Sequence, residues 1–285
     1  MDAIAPALFL VLAACAGLIL GSFATCAGHR LAHGGNVLIP SRSYCPACKR
    51  DLLWRDNIPL LGWLLQGGRC RHCRVRIPAR YPLAELTSAL FCTAAAVVLG
   101  PGPAWIAAAC FGTLLLTLSL IDLQTYLLPD VLTLPGAVAA LLCSTFLPQA
   151  HTLGIGWRMA VAGAVLGGGG LWLLSELYRR IRGVEGLGLG DAKLMLLVGA
   201  FLGPLAVPFT LVWGACLALP FGLVAAARDR SHLHGETAPE ADADQGEVLD
   251  GTGLHTAIPF GPFLCAGAAL YLLYGPQFLR WWLGA

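Results

Sequence analysis

Residues 103–122 read PAWIAAACFGTLLLTLSLID. The stretch contains no charged side chain until Asp122, which ends it. An α-helix needs about 20 predominantly apolar residues to cross the hydrocarbon core of a bilayer. The stretch therefore predicts a membrane-spanning helix that carries a carboxylate where it reaches the membrane surface.

The composition extends this prediction to the whole chain. Of its 285 residues, 57% are hydrophobic and only 12% are charged, and the mean hydropathy is +0.72, whereas soluble domains carry about 25% charged residues. The longest apolar run is divided at Gly203 and Pro204, because proline opposes the continuation of a helix. We predict an all-α polytopic membrane protein with about eight transmembrane helices, at residues 4–27, 84–100, 103–121, 131–147, 155–177, 192–203, 205–227 and 258–275.

The basic residues predict the orientation of these helices. With the N-terminus outside the cytoplasm, 16 of the 18 Lys and Arg residues lie on the cytoplasmic side or at its edge, and only Arg158 and Arg280 lie outside. Cytoplasmic segments of membrane proteins are enriched in Lys and Arg. A cleavable signal peptide is a weaker interpretation of the first stretch, since no Lys or Arg precedes it. We expect both termini outside, with cytoplasmic segments at 28–82, 122–130, 178–191 and 228–257.

Two polar segments interrupt the apolar pattern. Residues 28–82 are basic and contain four clustered cysteines, whereas residues 228–257 contain seven acidic side chains. The second segment is typical of a solvated loop. We therefore divide the chain into a first transmembrane helix (1–27), a cytoplasmic zinc-binding loop domain (28–82) and a transmembrane domain (83–285) that includes the acidic loop.

Four of the eleven cysteines form two C-x-x-C pairs, Cys45 with Cys48 and Cys70 with Cys73, separated by 21 residues. Two such pairs supply four thiolates to a tetrahedral Zn²⁺, which stabilises a small loop region that lacks a core of its own. Disulfides or a redox dithiol are the alternatives, but the predicted cytoplasmic location is reducing. We predict a structural zinc site in which His72 is a spectator.

Carboxylates at the membrane edge form the second candidate site. Asp122 ends one predicted span, and Asp191 follows a glycine-rich segment (186–190) at the start of another. Acidic residues in or beside spans are costly and are therefore functional candidates. Two carboxylates brought together share one proton and serve as a base and an acid. From the residues alone, helix capping or exposure to headgroups explains each aspartate, Asp130 included, at least as well.

Other chemistries lack a matching signal. The sequence contains no G-x-S-x-G nucleophile elbow and no glycine-rich cofactor fingerprint, and no nucleic-acid partner is expected. A transporter or metal-handling protein is an alternative from another class, disfavoured because the ionisable groups lie at the membrane edge rather than at its midplane. A non-catalytic assembly factor of a pilus or secretion machine is a further alternative.

Motifs along nearly the whole chain resemble, in their order, the bacterial type IV prepilin peptidases. Each motif is short, but so many matches in one order are specific. The matching segments are GSF (21–23) with Arg30, SYCPAC (43–48), WRDNIPLLGW (54–63), GRCRHC (68–73), RYPLAEL (80–86), ID with LPD (121–130), GLGDAK (188–193) and IPFGPF (258–263).

The resemblance implies an intramembrane aspartyl peptidase with Asp122 and Asp191 as its catalytic pair, and with Asp130 in structure or substrate contact. Such enzymes remove the basic leader of type IV prepilins and pseudopilins at the cytoplasmic face of the bacterial inner membrane. They then methylate the new N-terminus with S-adenosylmethionine. The expected partners are these substrates and membrane lipid, and indirectly the pilus or type II secretion machinery. Glu85 is the candidate for the methyl-transfer site.

Two positions depart from the family pattern. Thr25 and Ala32 stand where the family commonly has Asn and Pro. They belong to the region that the family links to methyl transfer, so the resemblance supports peptidase activity more strongly than methyl transfer. A peptidase without methyltransferase activity is therefore an alternative. The acidic loop at 228–257 is a hypothetical attractant for the basic leader.

Overall fold

The structure, a computed structural model, describes residues 4–35, 43–147, 153–183, 188–233 and 259–283. Within these ranges the regular structure is helical, and the only β pairing consists of two isolated antiparallel bridges. The α-helices are α1 (Ile4–Ala32), α2 (Leu61–Leu65), α3 (Arg80–Leu99), α4 (Pro103–Thr125), α5 (Asp130–Phe146), α6 (Gly156–Ala164), α7 (Leu171–Arg182), α8 (Leu189–Leu202), α9 (Ala206–Leu233) and α10 (Gly261–Leu283), with a 3₁₀ turn at Trp54–Asn57.

Each of the eight predicted apolar stretches coincides with a helix, and a π-helical turn, Val165–Gly170, joins α6 and α7 into one. By length and composition, five helices of the described residues suffice to cross a membrane. The all-α membrane architecture is confirmed, while the number of spans stays a prediction. The five are Ala5–Ala32, Arg80–Leu99, Pro103–Thr125, Gly156–Arg182 and Ala206–Val224, beside the shorter apolar helices Asp130–Phe146 and Gly261–Gly275.

The longest apolar run is divided where the sequence predicts. Helix α8 ends at Leu202, Gly203 adopts a φ of +88°, and α9 begins at Ala206. A positive φ of this kind is accessible to glycine at little cost, and Pro204 cannot supply a backbone N–H to extend the helix. The division at Gly203 and Pro204 is confirmed.

Helix α8 forms the centre of the transmembrane domain. It packs against α5 and α6 and against the π-helical turn. Nine of its 14 residues are buried, which explains why so short a helix can be stable among longer neighbours. Because it is buried on most sides, its apolar side chains fill the protein core rather than face lipid; the largest fully buried ones are Leu194, Met195, Leu197 and Val198.

Small residues allow α6 and α8 to approach closely. A Cβ added to Gly199 would overlap the carbonyl oxygen of Gly163, and one added to Gly163 would overlap that of Gly199. Helices that pack in membranes use such small residues to bring their backbones together. The contact fixes α8, in whose first turn Asp191 lies, against α6.

We expect Gly199→Ala to destabilise the protein by about 1–3 kcal/mol, because the added methyl group has no room. Thermal unfolding in detergent micelles measures the loss. Gly169→Ala is the matched control, since a Cβ there would lie 3.8 Å from its nearest neighbour, Val165. Equal unfolding temperatures for the two variants would contradict the close approach of α6 and α8.

Helix α1 packs against α3 through a second pair of glycines. A Cβ on Gly17 would lie 2.6 Å from the Cα of Ala89, and one on Gly21 would lie 2.7 Å from the Cα of Glu85. This contact brings the end of α1 beside the start of α3. The cysteine-rich loop that connects these two helices therefore lies at one end of the bundle.

Several helices continue beyond the predicted apolar stretches, among them α4 to Thr125, α7 to Arg182 and α10 to Leu283. Helix α1 ends at Ala32, and α9 ends at Leu233, since nothing requires a helix to stop where its apolar residues end. Most of the predicted acidic loop (228–257) lies outside the described residues, as do Gly186 and Leu187 of the glycine-rich segment.

Candidate functional site

Asp122 lies in the last turn of α4 and is 5% exposed. Its Oδ2 accepts a hydrogen bond of 3.0 Å from the backbone N–H of Gly261, the first residue of α10. Helix α4 ends three residues later, where Tyr126 adopts the left-handed conformation and donates its N–H to the carbonyl of Asp122. The carboxylate is therefore held between the end of one helix and the start of another.

Asp191 lies in the first turn of α8 and is partly exposed. Its carboxylate is close enough to that of Asp122 for the two to interact electrostatically. Both carboxylates also interact with the buried thiol of Cys265 on α10. The structure thus places the two aspartates, 69 positions apart in the sequence, around one point between α4, α8 and α10; their catalytic role stays a prediction.

Helix capping does not explain the aspartates at the helix starts. The N-cap positions of α5 and α8 are Pro129 and Gly188, and neither helix has a side-chain capping hydrogen bond. Asp130 instead forms an ion pair with Lys193, with 2.6 Å between Oδ1 and Nζ. This pair connects the starts of α5 and α8, at the end of α8 where Asp191 lies.

Gly261 is a part of the site that analysis of the sequence did not single out. A Cβ at this position would lie 2.6 Å from Oδ2 of Asp122. Only glycine lets the backbone approach the carboxylate this closely. The segment Pro259–Pro262, part of the IPFGPF motif, could have indicated this glycine, because it places Gly261 between two prolines at the start of an apolar helix.

The four predicted cysteine ligands come together in the loop. The sulfur atoms of Cys45, Cys48, Cys70 and Cys73 all lie within 4.8 Å of one another. Those of Cys45 and Cys73 are 3.8 Å apart, and sulfurs bound tetrahedrally at about 2.3 Å from zinc are separated by about 3.8 Å. The four thiols are free rather than paired in disulfides, so the cluster fits a single tetrahedral metal ion.

The two C-x-x-C pairs have the same backbone geometry. In each pair the first cysteine accepts a hydrogen bond at its carbonyl from the N–H of the residue after the second cysteine, Lys49 or Arg74. These two residues adopt nearly equal positive φ angles of 58° and 57°. Two equivalent turns therefore present their sulfurs to one point.

Backbone N–H groups also favour the thiolate form of Cys70. The N–H groups of Cys73 and His72 hydrogen-bond to the sulfur of Cys70 and lower the pKa of its thiol to about 7. Because the thiolate is the form that binds metal, the lowered pKa favours the metal-binding form of this sulfur. His72 is outside the four-sulfur cluster, and its Nδ1 lies 3.3 Å from Nη1 of Arg50.

Glu85 lies near the start of α3 and contacts the cysteine-rich loop rather than the pair of aspartates. Its side chain is buried, and Oε2 accepts a hydrogen bond of 2.8 Å from the backbone N–H of Leu60. Leu60 has a φ of +59°, a conformation that is costly for a residue with a side chain. Glu85 therefore stabilises a strained turn and connects the loop to α3.

Comparisons with known proteins show the family to which the chain belongs. The protein-family model described as the Bacterial Peptidase A24 N-terminal domain matches residues 15–99. The family model described as the Type IV leader peptidase family matches residues 109–223. No solved structure matches the chain.

Curated relatives match over most of the chain, and each is called a prepilin leader peptidase/N-methyltransferase. The protein from Burkholderia pseudomallei (strain 1026b) is 38% identical over 255 residues, covering 90% of this chain and 74% of the relative. That from Aeromonas salmonicida (strain A449) is 36% identical, with 87% and 76% covered. That from Pseudomonas putida is 31% identical, with 96% and 94% covered.

Proposed function

Because the chain belongs to the type IV leader peptidase family, we propose that Asp122 and Asp191 are the catalytic pair of a prepilin leader peptidase that also N-methylates its product. The observation that carries this proposal is the juxtaposition of the two carboxylates between α4, α8 and α10. The names of the relatives do not favour a transporter or a peptidase that lacks methyl transfer.

The paired aspartates supply both proton transfers of peptide hydrolysis. Neighbouring carboxylates share one proton, because like charges at short range oppose the ionisation of both. The ionised carboxylate removes a proton from water, whose oxygen attacks the scissile carbonyl carbon, while the protonated one donates to the carbonyl oxygen. When the carbon–nitrogen bond breaks, the leaving nitrogen takes up a proton and the two products separate.

Gly261 orients one member of the pair. Its N–H donates to Oδ2 of Asp122, so the shared proton lies on Oδ1 of Asp122 or on Asp191. Because Oδ2 of Asp122 is fixed by this hydrogen bond, the orientation of its other oxygen, Oδ1, is also restricted. The N-terminus of α10, which carries partial positive charge, thereby positions the site.

The fold supports a cytoplasmic location for this site. A Cβ on Gly28 of α1 would lie 3.2 Å from Leu120 of α4, so the end of α4 that carries Asp122 lies beside the end of α1. The basic cysteine-rich loop begins at that same end. Since basic segments stay in the cytoplasm, we assign the peptidase site to the cytoplasmic face of the inner membrane and both termini to the opposite side, with the helix of a prepilin or pseudopilin beside the enzyme in the bilayer.

Zinc and S-adenosylmethionine complete the proposal. The four-cysteine cluster would hold Zn²⁺ as a structural ion that organises the loop, since all four ligand positions are filled by protein. S-adenosylmethionine would supply the activated methyl group that is transferred to the new terminal amine. Thr25, one of the two departures from the family pattern, bonds within α1 to the carbonyl of Ser22 and so leaves the helix geometry intact.

The decisive experiment incubates the purified protein, in lipid nanodiscs, with a prepilin and S-adenosylmethionine. Mass spectrometry follows the leader peptide and the N-terminal mass of the product separately. We expect loss of the leader followed by the addition of one methyl group. Cleavage without methylation would mean that the protein is a peptidase that lacks methyltransferase activity. A prepilin that remains uncleaved would contradict the proposal.

Removal of two sulfur ligands, in Cys45→Ser/Cys73→Ser, is expected to lower the zinc content from about one ion per chain to below about 0.2, because only two thiolates remain of the four that a structural site uses. Elemental analysis of the purified protein measures the content. The double variant Cys15→Ser/Cys110→Ser is the control, since both of these cysteines are exposed and lie outside the cluster. Full zinc occupancy after loss of Cys45 and Cys73 would contradict the site.

A further inference from the structure

The short helix α2 of the cysteine-rich loop has an apolar face that the described residues leave uncovered. Its side chains are Leu61, Leu64 and Leu65, which are 54%, 61% and 80% exposed. Residues three and four positions apart lie on one face of a helix, so the three leucines form one surface. Contiguous apolar surfaces outside a protein core mark interaction sites. The zinc cluster and the peptidase site use none of these side chains.

The opposite face of α2 packs onto the loop. Gly62 is buried, and a Cβ there would lie 2.4 Å from the carbonyl oxygen of Asp56. Nε1 of Trp63 donates a hydrogen bond of 3.1 Å to the carbonyl of Ile77. These contacts fix the orientation of α2, and they direct its leucines away from the loop. The exposed face is therefore a defined feature of the fold.

Helix α2 begins at the depth of the membrane-spanning helices. The backbone N–H of Leu60 donates a hydrogen bond of 2.8 Å to Oε2 of Glu85, and the Cα of Glu85 lies beside Gly21 of α1. Gly21 precedes the end of the predicted apolar stretch of α1, residue 27, by six positions, or about 9 Å at the rise of an α-helix. A glutamate side chain and one hydrogen bond together span less than this. Leu60 therefore lies level with the apolar part of α1.

We propose that α2 is a membrane-surface helix, with Leu61, Leu64 and Leu65 inserted among the lipid chains. The lipid belongs to the cytoplasmic leaflet, given the location of the loop proposed above, and neither enzymatic activity is required. Amphipathic helices that bind a bilayer bury their apolar face about 5–10 Å into its boundary. Trp54, which begins the preceding 3₁₀ turn and is 81% exposed, suits the same depth, because tryptophan is enriched where membranes meet water.

The charge of the loop favours lipid over other occupants of this face. Residues 28–82 contain ten Lys and Arg but only two acidic residues, Asp51 and Asp56. Anionic lipids of the cytoplasmic leaflet attract such segments by about 1 kcal/mol for each basic side chain near the surface. A second copy of the chain would present the same positive charge, and the leader of a prepilin is itself basic. Both would be repelled where an anionic lipid surface is attracted.

Photo-crosslinking of the full-length protein tests the contact with lipid. A diazirine amino acid replaces Leu65, the protein is illuminated in nanodiscs of phosphatidylcholine and phosphatidylglycerol, and mass spectrometry identifies what the side chain has bonded to. Ala47 is the control position, since it is also exposed but lies in the first C-x-x-C turn, outside the apolar face. We expect about 5-fold more lipid adducts at residue 65 than at residue 47, because a side chain inserted in the bilayer meets acyl chains rather than water.

Hydrogen exchange of the α2 amides gives a second measurement. Leu64→Ala/Leu65→Ala removes apolar surface without lowering helix propensity, so we expect about 10-fold faster exchange in nanodiscs if lipid holds the helix. Unchanged zinc content would show that the loop is still folded.

Other results would overturn the proposal. They are adducts of residue 65 with a second copy of the chain or with added prepilin in place of lipid, equal lipid adducts at residues 65 and 47, or exchange at the wild-type rate in the double variant.

Discussion

Replacement of Asp122 or Asp191 by asparagine is expected to reduce the rate of prepilin cleavage by about 1,000-fold or more, because each substitution removes a group that transfers a proton in the reaction. Asparagine keeps the size of the side chain and can still accept the N–H of Gly261 at position 122. The loss would therefore reflect chemistry rather than packing. Single-turnover cleavage in nanodiscs, with enzyme in excess over prepilin, measures the effect on the chemical step.

Asp130→Asn provides the matched control for this prediction. Asp130 belongs to the same end of the bundle, but its carboxylate is exposed and paired with Lys193. Exposed pairs contribute about 0–1 kcal/mol, so we expect cleavage to fall by less than about 5-fold. Cleavage by Asp191→Asn at more than a tenth of the wild-type rate would reject the pair.

The two active-site variants also separate the two reactions. A synthetic peptide that begins at the mature N-terminus bypasses cleavage, and its methylation should need neither aspartate, because the proton transfers assigned to the pair belong to peptide hydrolysis. We expect Asp122→Asn and Asp191→Asn to methylate this peptide at nearly the wild-type rate. Loss of both activities together would place the methyl transfer at the aspartates.

The helices could be predicted from the sequence because the bilayer imposes their composition. A span such as 103–121 must be apolar over a length set by the membrane, whatever its neighbours are. The division at Gly203 was equally visible, since glycine and proline act through the backbone of their own segment. The ends of several helices, α1 and α9 among them, could not be predicted, because polar residues beyond a span can continue a helix or leave it.

The cysteine cluster was predictable for a different reason. Paired C-x-x-C motifs place two sulfurs on each short turn, so local spacing already determines half of the site. The role of Glu85 was not predictable: its hydrogen bond to Leu60 depends on how the loop returns to α3.

The approach of Asp122 to Asp191 lies beyond what composition and spacing determine. The two residues belong to helices α4 and α8, which are separated by α5 and the α6–α7 unit in the sequence. Asp191 reaches the end of α4 through the packing of α8 at the centre of the domain, to which the contact of Gly199 with Gly163 contributes. The family motifs predict that Asp122 and Asp191 act as a pair, although nothing in the sequence itself shows that the two helices pack together.

Gly261→Ala is expected to reduce prepilin cleavage by about 100-fold, although glycine has no side chain that could take part in chemistry. The added Cβ would lie 2.6 Å from Oδ2 of Asp122, so the carboxylate must turn away and lose its hydrogen bond to the start of α10. A displacement of about 1 Å in a reacting group can cost about 100-fold in rate. The single-turnover assay used for the aspartate variants measures this loss, which should appear in the chemical step rather than in substrate affinity.

Gly188→Ala is the matched substitution beside the other aspartate. A Cβ there would lie 3.6 Å from Oδ2 of Asp191, an ordinary contact distance, and the backbone at Gly188 has a φ of −64° that alanine adopts freely. We therefore expect less than about a 5-fold loss, equivalent to about 1 kcal/mol. If Gly261→Ala cleaves as fast as Gly188→Ala, the start of α10 does not position Asp122, and its hydrogen bond to the carboxylate has no part in catalysis. A large difference between these two alanines would mean that the peptidase site depends on the fit of a backbone N–H to one carboxylate oxygen.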